Sequence, residues 1–196
     1  MKKVNKIIFV AILFLTITMA MSVKSQAVTP IFPYSCSRGV CVYYYIENGS
    51  GNGYYNLIKA AAYNWEHTGQ GYNPIYLYEK SASSGTAMDF YNKTTAFWGD
   101  SSVLGETFHR NGSGSRIDPY SSHWLYSEIF LNTSTLSKYS DTVKQGTIGH
   151  EMGHAFGLAH YNSNPNGSIM CQLGYGRTAN TVQLEDNQAI NQKYGN

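Results

Sequence analysis

Apolar positions recur with different spacings along the chain, and each spacing predicts an element. Residues 7–21 are almost wholly apolar, preceded by Lys2, Lys3 and Lys6 and followed by a polar stretch ending Ser25-Gln26-Ala27. A run of about 15 apolar residues falls short of the ~20 that a membrane-spanning helix needs. Ser25 and Ala27 supply small residues at the −3 and −1 positions of a cleavage site. Residues 1–27 are therefore expected to be an export signal peptide, with a cut after Ala20 as the alternative. Residues 28–39 are a short proline-containing arm. Residues 40–46 (VCVYYYI) are β-branched and aromatic, border the turn-rich 48–53, and predict a strand. Over 54–67, Tyr55, Ile58, Ala62 and Trp65 make roughly one helical stripe, and Gly69 ends it. Residues 75–78 and 87–91 are short strand candidates, and a loop-rich middle follows. EIFL at 128–131 predicts another strand, closed by the turn-prone Asn132-Thr133-Ser134. Residues 142–157 and 184–194 are helical by pattern. Strands clustered between helices predict a mixed sheet with helices packed on it, α+β or α/β in class.

A length of 196 residues suits one domain with a core of its own. Of the 14 basic residues four lie in 1–27, so the formal charge of +2 becomes about −2 for the remainder, with 10 basic against 12 acidic residues. No basic run is present, which argues against a nucleic-acid partner. The expected export makes disulfides permissible, but Cys36, Cys41 and Cys171 are odd in number. Cys36–Cys41 would close a small loop, and either one bonded to Cys171 would tie the amino terminus to the C-terminal part. Spacing does not choose between them.

The densest chemistry is HEMGHAFGLAH, His150 to His160. On a helix, residues four apart share a face, so His150 and His154 project side by side. Zinc takes imidazole nitrogens, and a catalytic zinc keeps three protein ligands with one position for water. Three ligands on one helix face cannot surround a metal, so the third must approach from another direction. Gly157 can adopt positive φ, end the helix and turn the chain, which brings His160 back towards the same point. Glu151, about 100° round the helix from the first ligand, falls beside the metal rather than on it. There it is placed to take a proton from water and pass it to a leaving amine. Three histidines, a glutamate and a glycine at these fixed positions recur by chance on the order of 10⁻⁵ per chain of this composition.

These residues resemble the metzincin signature of zinc endopeptidases, His150-Glu151-x-x-His154-x-x-Gly157-x-x-His160. Metzincins also carry a methionine in a tight turn under the zinc. Ser168-Ile169-Met170, after the turn-forming Asn164-Pro165-Asn166-Gly167, stands where that turn is expected. Within the group, residues 40–196 are most similar to the catalytic domain of matrixins, in the order of the first strand, the AAAYNW helix, the strand before the zinc helix and the LEDNQAINQKYG ending. The resemblance implies an α+β, zincin-like domain over 40–196: a twisted mixed sheet on two helices, and a small C-terminal subdomain with the Met-turn and the last helix. It implies one catalytic zinc on His150, His154 and His160, Glu151 as general base, and Met170 under the metal. It further implies an extended peptide substrate paired with an edge strand near 128–131, and a specificity pocket lined by the loop over roughly 171–180. The protein expected from all this is a secreted, monomeric endopeptidase, with no membrane association after signal cleavage.

Some residues depart from the family pattern. Gln172 stands where astacin- and serralysin-like members place a tyrosine ligand, which argues against those branches. The segment 92–127 lacks the dense Asp/Gly pattern of matrixin calcium and structural-zinc sites. His109 and His123, with Asp118 between them, are the residues left for a second metal, and two surface histidines are the preferred reading. No Pro-Arg-Cys-Gly latency segment is present, and 28–39 is too short to cover a cleft as a prodomain. Cys36 is the one candidate for a thiolate inhibitory ligand there, ranked below a disulfide. His67 is read as a helix C-terminal residue favoured by the dipole. Two other functions fit the same fold, a secreted zinc-fold binding or adhesion protein without turnover, and a zinc amidase acting on a cell-wall peptide link. Loss of Glu151 or of a histidine would have marked the first, and all four are present.

Overall fold

The computed structural model describes residues 28–195, so the expected signal peptide lies outside the described residues. The chain runs β1 (Cys41–Ile46), α1 (Tyr55–Glu66), β2 (Tyr76–Lys80), β3 (Met88–Lys93), β4 (Gly105–Arg110), β5 (Arg116–Ile117) and β6 (Tyr126–Asn132), then α2 (Thr133–Leu136), α3 (Asp141–Ala155) and α4 (Leu184–Tyr194). The strands form one mixed sheet in the order β2-β1-β3-β6-β4-β5. β2, β1, β3 and β6 are parallel; β4 runs antiparallel to both β6 and β5. The architecture is α+β, one of the two classes that the distribution of patterns along the chain leaves open.

Period-two alternation decides which side chains reach the helices. In β1, Val42, Tyr44 and Ile46 are buried and their neighbours face out. Register carries the inward row across the sheet, from Ile46 to Phe90, Phe90 to Ile129, and Ile129 to Thr107. Thr107 therefore lies on the face against which α3 packs.

α1 and α3 meet through small residues. The Trp65 indole N–H donates to Gly149 O at 2.9 Å, with Trp65 wholly buried. A Cβ on Gly149 would stand 2.8 Å from Ile169 Cδ1, and one on Gly153 would overlap Met170 Sδ and sit 3.2 Å from Trp65 Cζ2. α3 begins at Ser140, whose Oγ accepts from Val143 N, with Asp141 in the first turn. It ends in a Schellman motif: Gly157 N donates to His154 O at 2.8 Å and Leu158 N to Gly153 O at 2.9 Å, with Gly157 at φ 92°.

The middle is not all loop as its sequence suggests; it holds β4 and β5. β6 consequently lies inside the sheet, between β3 and β4, so 128–131 is not the edge that the resemblance implies. β5 covers only His109 and Arg110 of β4, and 105–108 have no strand partner on that side among the described residues. The turn expected at 132–134 is the start of α2, with Asn132 Oδ1 accepting from Thr135 N.

The segment 28–39 is bound into the domain. Ile31 bridges to Leu158 and Cys36 to Trp124. Thr29 Oγ1 donates to Asp186 Oδ1 at 2.7 Å, and Lys193 Nζ donates to Phe32 O and Tyr34 O, each at 2.7 Å. All three cysteines are free, which corrects the preference for a disulfide. Buried Cys36 donates to Leu125 O at 3.3 Å and does not gather with His150, His154 and His160, so it is no ligand either. His67 caps α1 as expected.

Filling the gap at Gly153 tests this packing. Gly153→Ala is expected to destabilise the domain by about 1–3 kcal/mol, the usual cost of overpacking. Gly51→Ala, which meets nothing within 4 Å, is expected to leave the melting temperature unchanged. Equal melting temperatures for the two variants, read by thermal denaturation, would show that the close approach of Met170 to α3 is not needed.

Candidate metal centre

His150 and His154 project from one face of α3, and the turn at Gly157 returns the chain so that His160 faces them. Ring centroids are 4.7 Å apart for His150–His154, 4.6 Å for His154–His160 and 5.2 Å for His150–His160. One nitrogen from each lies within 4.8 Å of the other two. Two rings are keyed by backbone carbonyls. His150 Nδ1 is 2.8 Å from Ile169 O and His154 Nδ1 is 2.9 Å from Leu158 O. A carbonyl only accepts, so each Nδ1 carries the proton and each Nε2 presents a lone pair. His154 Nε2 and His160 Nε2 face each other at 3.0 Å.

All three imidazoles are held neutral. Burial pushes His150 well below the ordinary histidine range, and proximity to His154 adds to it. Burial, then His160, takes His154 down to about 3; burial also lowers His160. Three neutral imidazoles, two of them with the Nε2 lone pair turned to the cluster, are the donor set a zinc ion takes, so these residues fit the metal their spacing predicts.

Glu151 is buried on the neighbouring face of α3, against β4. Thr107 Oγ1 lies 2.8 Å from Glu151 Oε2 and 2.9 Å from Glu151 O. The strand comes this close because residue 105 is glycine, where a Cβ would stand 3.1 Å from Glu151 Cγ. Burial raises the Glu151 carboxyl to about 7; the Thr107 bond and then the charge of Arg177 oppose the rise. Met170 is wholly buried under α3, and the preceding residue supplies the carbonyl that keys His150. Ser168 Oγ and Ile169 N donate to Asp186 at 2.6 and 2.9 Å, so α4 holds the turn before Met170 in place.

A cleft of about 1150 Å³ runs over this cluster. β4 forms one wall, and the loop with Gln172, Leu173, Gly174, Tyr175 and Arg177 forms another, within the span expected to line a pocket. Phe32 of the arm closes one side, stacked on His154 with centroids 6.1 Å apart. Thr107, Arg177 and Phe32 escaped the sequence reading. Only Arg177 left a trace: it is the sole basic residue between Lys144 and Lys193.

His109 and His123 do not come together with Asp118. His109 is buried, not a surface residue: its Nδ1 meets Ser127 Oγ at 3.0 Å, its ring lies 4.2 Å from Trp124, and burial takes it down to about 4. His123 is exposed beside Ser35. Among the described residues, His150, His154 and His160 are the one group of three metal-capable side chains.

Fold and site together describe an α+β protein with three histidines and a buried glutamate in one cleft. No protein-family model matches the chain, and neither does any curated protein. Among solved structures, a chain of the "GM1 bound form of the ECX AB5 holotoxin" is similar over 85% of this chain and 80% of that one, at 15% identity and a TM-score of 0.46.

Zinc titration followed by calorimetry is expected to give one tight site per chain. His150→Ala, His154→Ala and His160→Ala are each expected to weaken it at least ~100-fold, since a lost ligand costs more than a lost outer-shell partner. Unchanged affinity in any one of the three would remove that residue from the site.

Proposed function

We propose that the chain is a secreted zinc endopeptidase of the metzincin group, matrixin in type, acting as a monomer on extended peptide substrates. The observation that carries this is the placing of the Glu151 carboxylate beside three converging imidazole nitrogens, in a cleft flanked by an open strand edge. Zinc held by His150, His154 and His160 would supply a Lewis acid that lowers the pKa of water and polarises a carbonyl.

The chain's own groups account for the rest. Thr107 occupies Glu151 Oε2, which leaves Oε1 to accept a proton from the attacking water. The same carboxyl then delivers that proton to the nitrogen of the departing amine. A carboxyl raised by burial to about 7 is matched to both transfers at neutral pH. The unpaired side of β4 over 105–108 offers backbone N–H and C=O groups to an extended peptide, which would lie as an added strand across the cleft. Met170 and Asp186 act through position, fixing the Ile169 carbonyl that orients His150.

Cleavage of a quenched peptide library by the zinc-loaded chain tests the reading. Wild type is expected to cut peptides. Glu151→Gln is expected to keep one zinc and lose about 10²–10⁴-fold in kcat, the range for a general acid–base group. Thr107→Val is expected to keep zinc and lose roughly 10-fold, because the carboxylate is no longer oriented. A chain that holds zinc and cuts no peptide would transfer the fold to the binding-protein reading.

A further inference from the structure

The cleft contains a charge that the proposed chemistry leaves without a use. Arg177 is only 6% exposed and lines the cleft together with Thr147, Leu173 and Tyr175. Its Nη2 donates to Thr147 Oγ1 at 3.1 Å. Its Nε is buried with no hydrogen-bond partner among the described residues. Arg177 takes part in none of the ion pairs formed by those residues. Glu151 acts on it through space, but the Glu151 carboxylate is hydrogen-bonded to Thr107 and forms no ion pair with Arg177. A guanidinium has five N–H donors in a planar fork, and taking it out of water is costly unless a partner meets it. Thr147 lies one helical turn before Glu151 on α3, so the bond from Arg177 aligns the guanidinium beside the general base.

We propose that Arg177 makes the pocket beside Glu151 a receptor for a substrate carboxylate, so that the enzyme cuts on the amino side of aspartate or glutamate. This rests on the peptidase reading and adds its substrate class. The Nη hydrogens of Arg177 not used by Thr147 match a carboxylate in an end-on two-point contact, which a neutral amide of the same shape cannot reproduce. Leu173 and Tyr175 supply apolar walls for the side-chain methylenes. Selectivity comes from the cation's existing burial, since a substrate lacking the carboxylate leaves it uncompensated.

The test uses the zinc-loaded chain and C-terminally amidated peptides identical except for Glu, Gln or Leu after the scissile bond. For wild type, kcat/KM for the Glu peptide is expected to exceed that for the Gln peptide by about 10- to 100-fold, the worth of a hydrogen bond to a charged group. Arg177→Met is expected to bring the two within about 2-fold while holding one zinc; the ratio is the readout, because loss of the charge also raises the Glu151 carboxyl and slows all peptides alike. Arg177→Lys, which keeps the charge without the fork, is expected to retain part of the preference. Equal cleavage of the Glu and Gln peptides by wild type overturns the proposal, whether or not Arg177→Met folds. An unchanged ratio in Arg177→Met does so too. Calorimetry with reduced-amide analogues of the same peptides separates the two claims. Glu-selective binding that Arg177→Met abolishes, without cleavage of any peptide, supports the carboxylate pocket and sinks the peptidase reading. Cleavage without Glu selectivity does the reverse.

Discussion

His154 and His160 point their Nε2 atoms at each other across 3.0 Å, and His150 brings a third nitrogen to the same place. With the proton on His160 Nε2 this contact is an N–H···N hydrogen bond to His154; with the proton on Nδ1 the two Nε2 lone pairs face each other, the form that a cation binds. The rings stay uncharged, because burial takes His154 down to about 3 and holds His150 well below its ordinary range. The scaffold fixes two of the rings by carbonyls on separate segments, Ile169 in the turn just before Met170 and Leu158 after the helix end. Much of the remaining structure serves to hold those two carbonyls and the helix between them.

Asp186 is the clearest case. A carboxylate with 0% exposure accepts from Thr29, Ser168, Ile169 and Gln183, so one side chain joins the arm, the Met-turn and the start of α4. Buried without those donors it would cost several kcal/mol; with them it locks the turn whose carbonyl keys His150. The glycines of α3 act in a complementary way. Gly149 and Gly153 remove the side chains that would separate α3 from Ile169, Met170 and Trp65, at the expense of some helix propensity. On the opposite side, Gly105 lets β4 approach until Thr107 reaches the Glu151 carboxylate.

Local signals in the sequence were enough for the elements with strong periodicity. Of the stripe Tyr55, Ile58, Ala62 and Trp65, the last three are buried on α1 together with Ala61 while Tyr55 is partly buried, and the last helix spans 184–194 as its pattern says. The three-histidine cluster was legible because its spacing solves a geometric problem within eleven residues. β4 was not, and its composition explains why. Its inward row is Gly105, Thr107 and His109 and its outward row Glu106, Phe108 and Arg110, so neither face reads as hydrophobic. A strand that lines a polar cleft loses the alternation that betrays a strand. The order of strands is a long-range property, and placing β4 outside β6 needs contacts that no local pattern encodes. For the same reason Thr107, Arg177 and Phe32 were invisible as neighbours of the histidines. The free cysteines also followed from placement, with Cys36 and Cys171 buried and Cys41 exposed.

The most direct test of the central claim is X-ray absorption at the zinc edge on the chain loaded with one equivalent of zinc. Convergence of His150, His154 and His160 predicts three nitrogen donors at about 2.0–2.1 Å and one oxygen, with no sulfur in the shell. A sulfur donor near ~2.3 Å would place a cysteine on the metal, and a shell of oxygens alone would leave the histidines unused. Either spectrum would contradict the account.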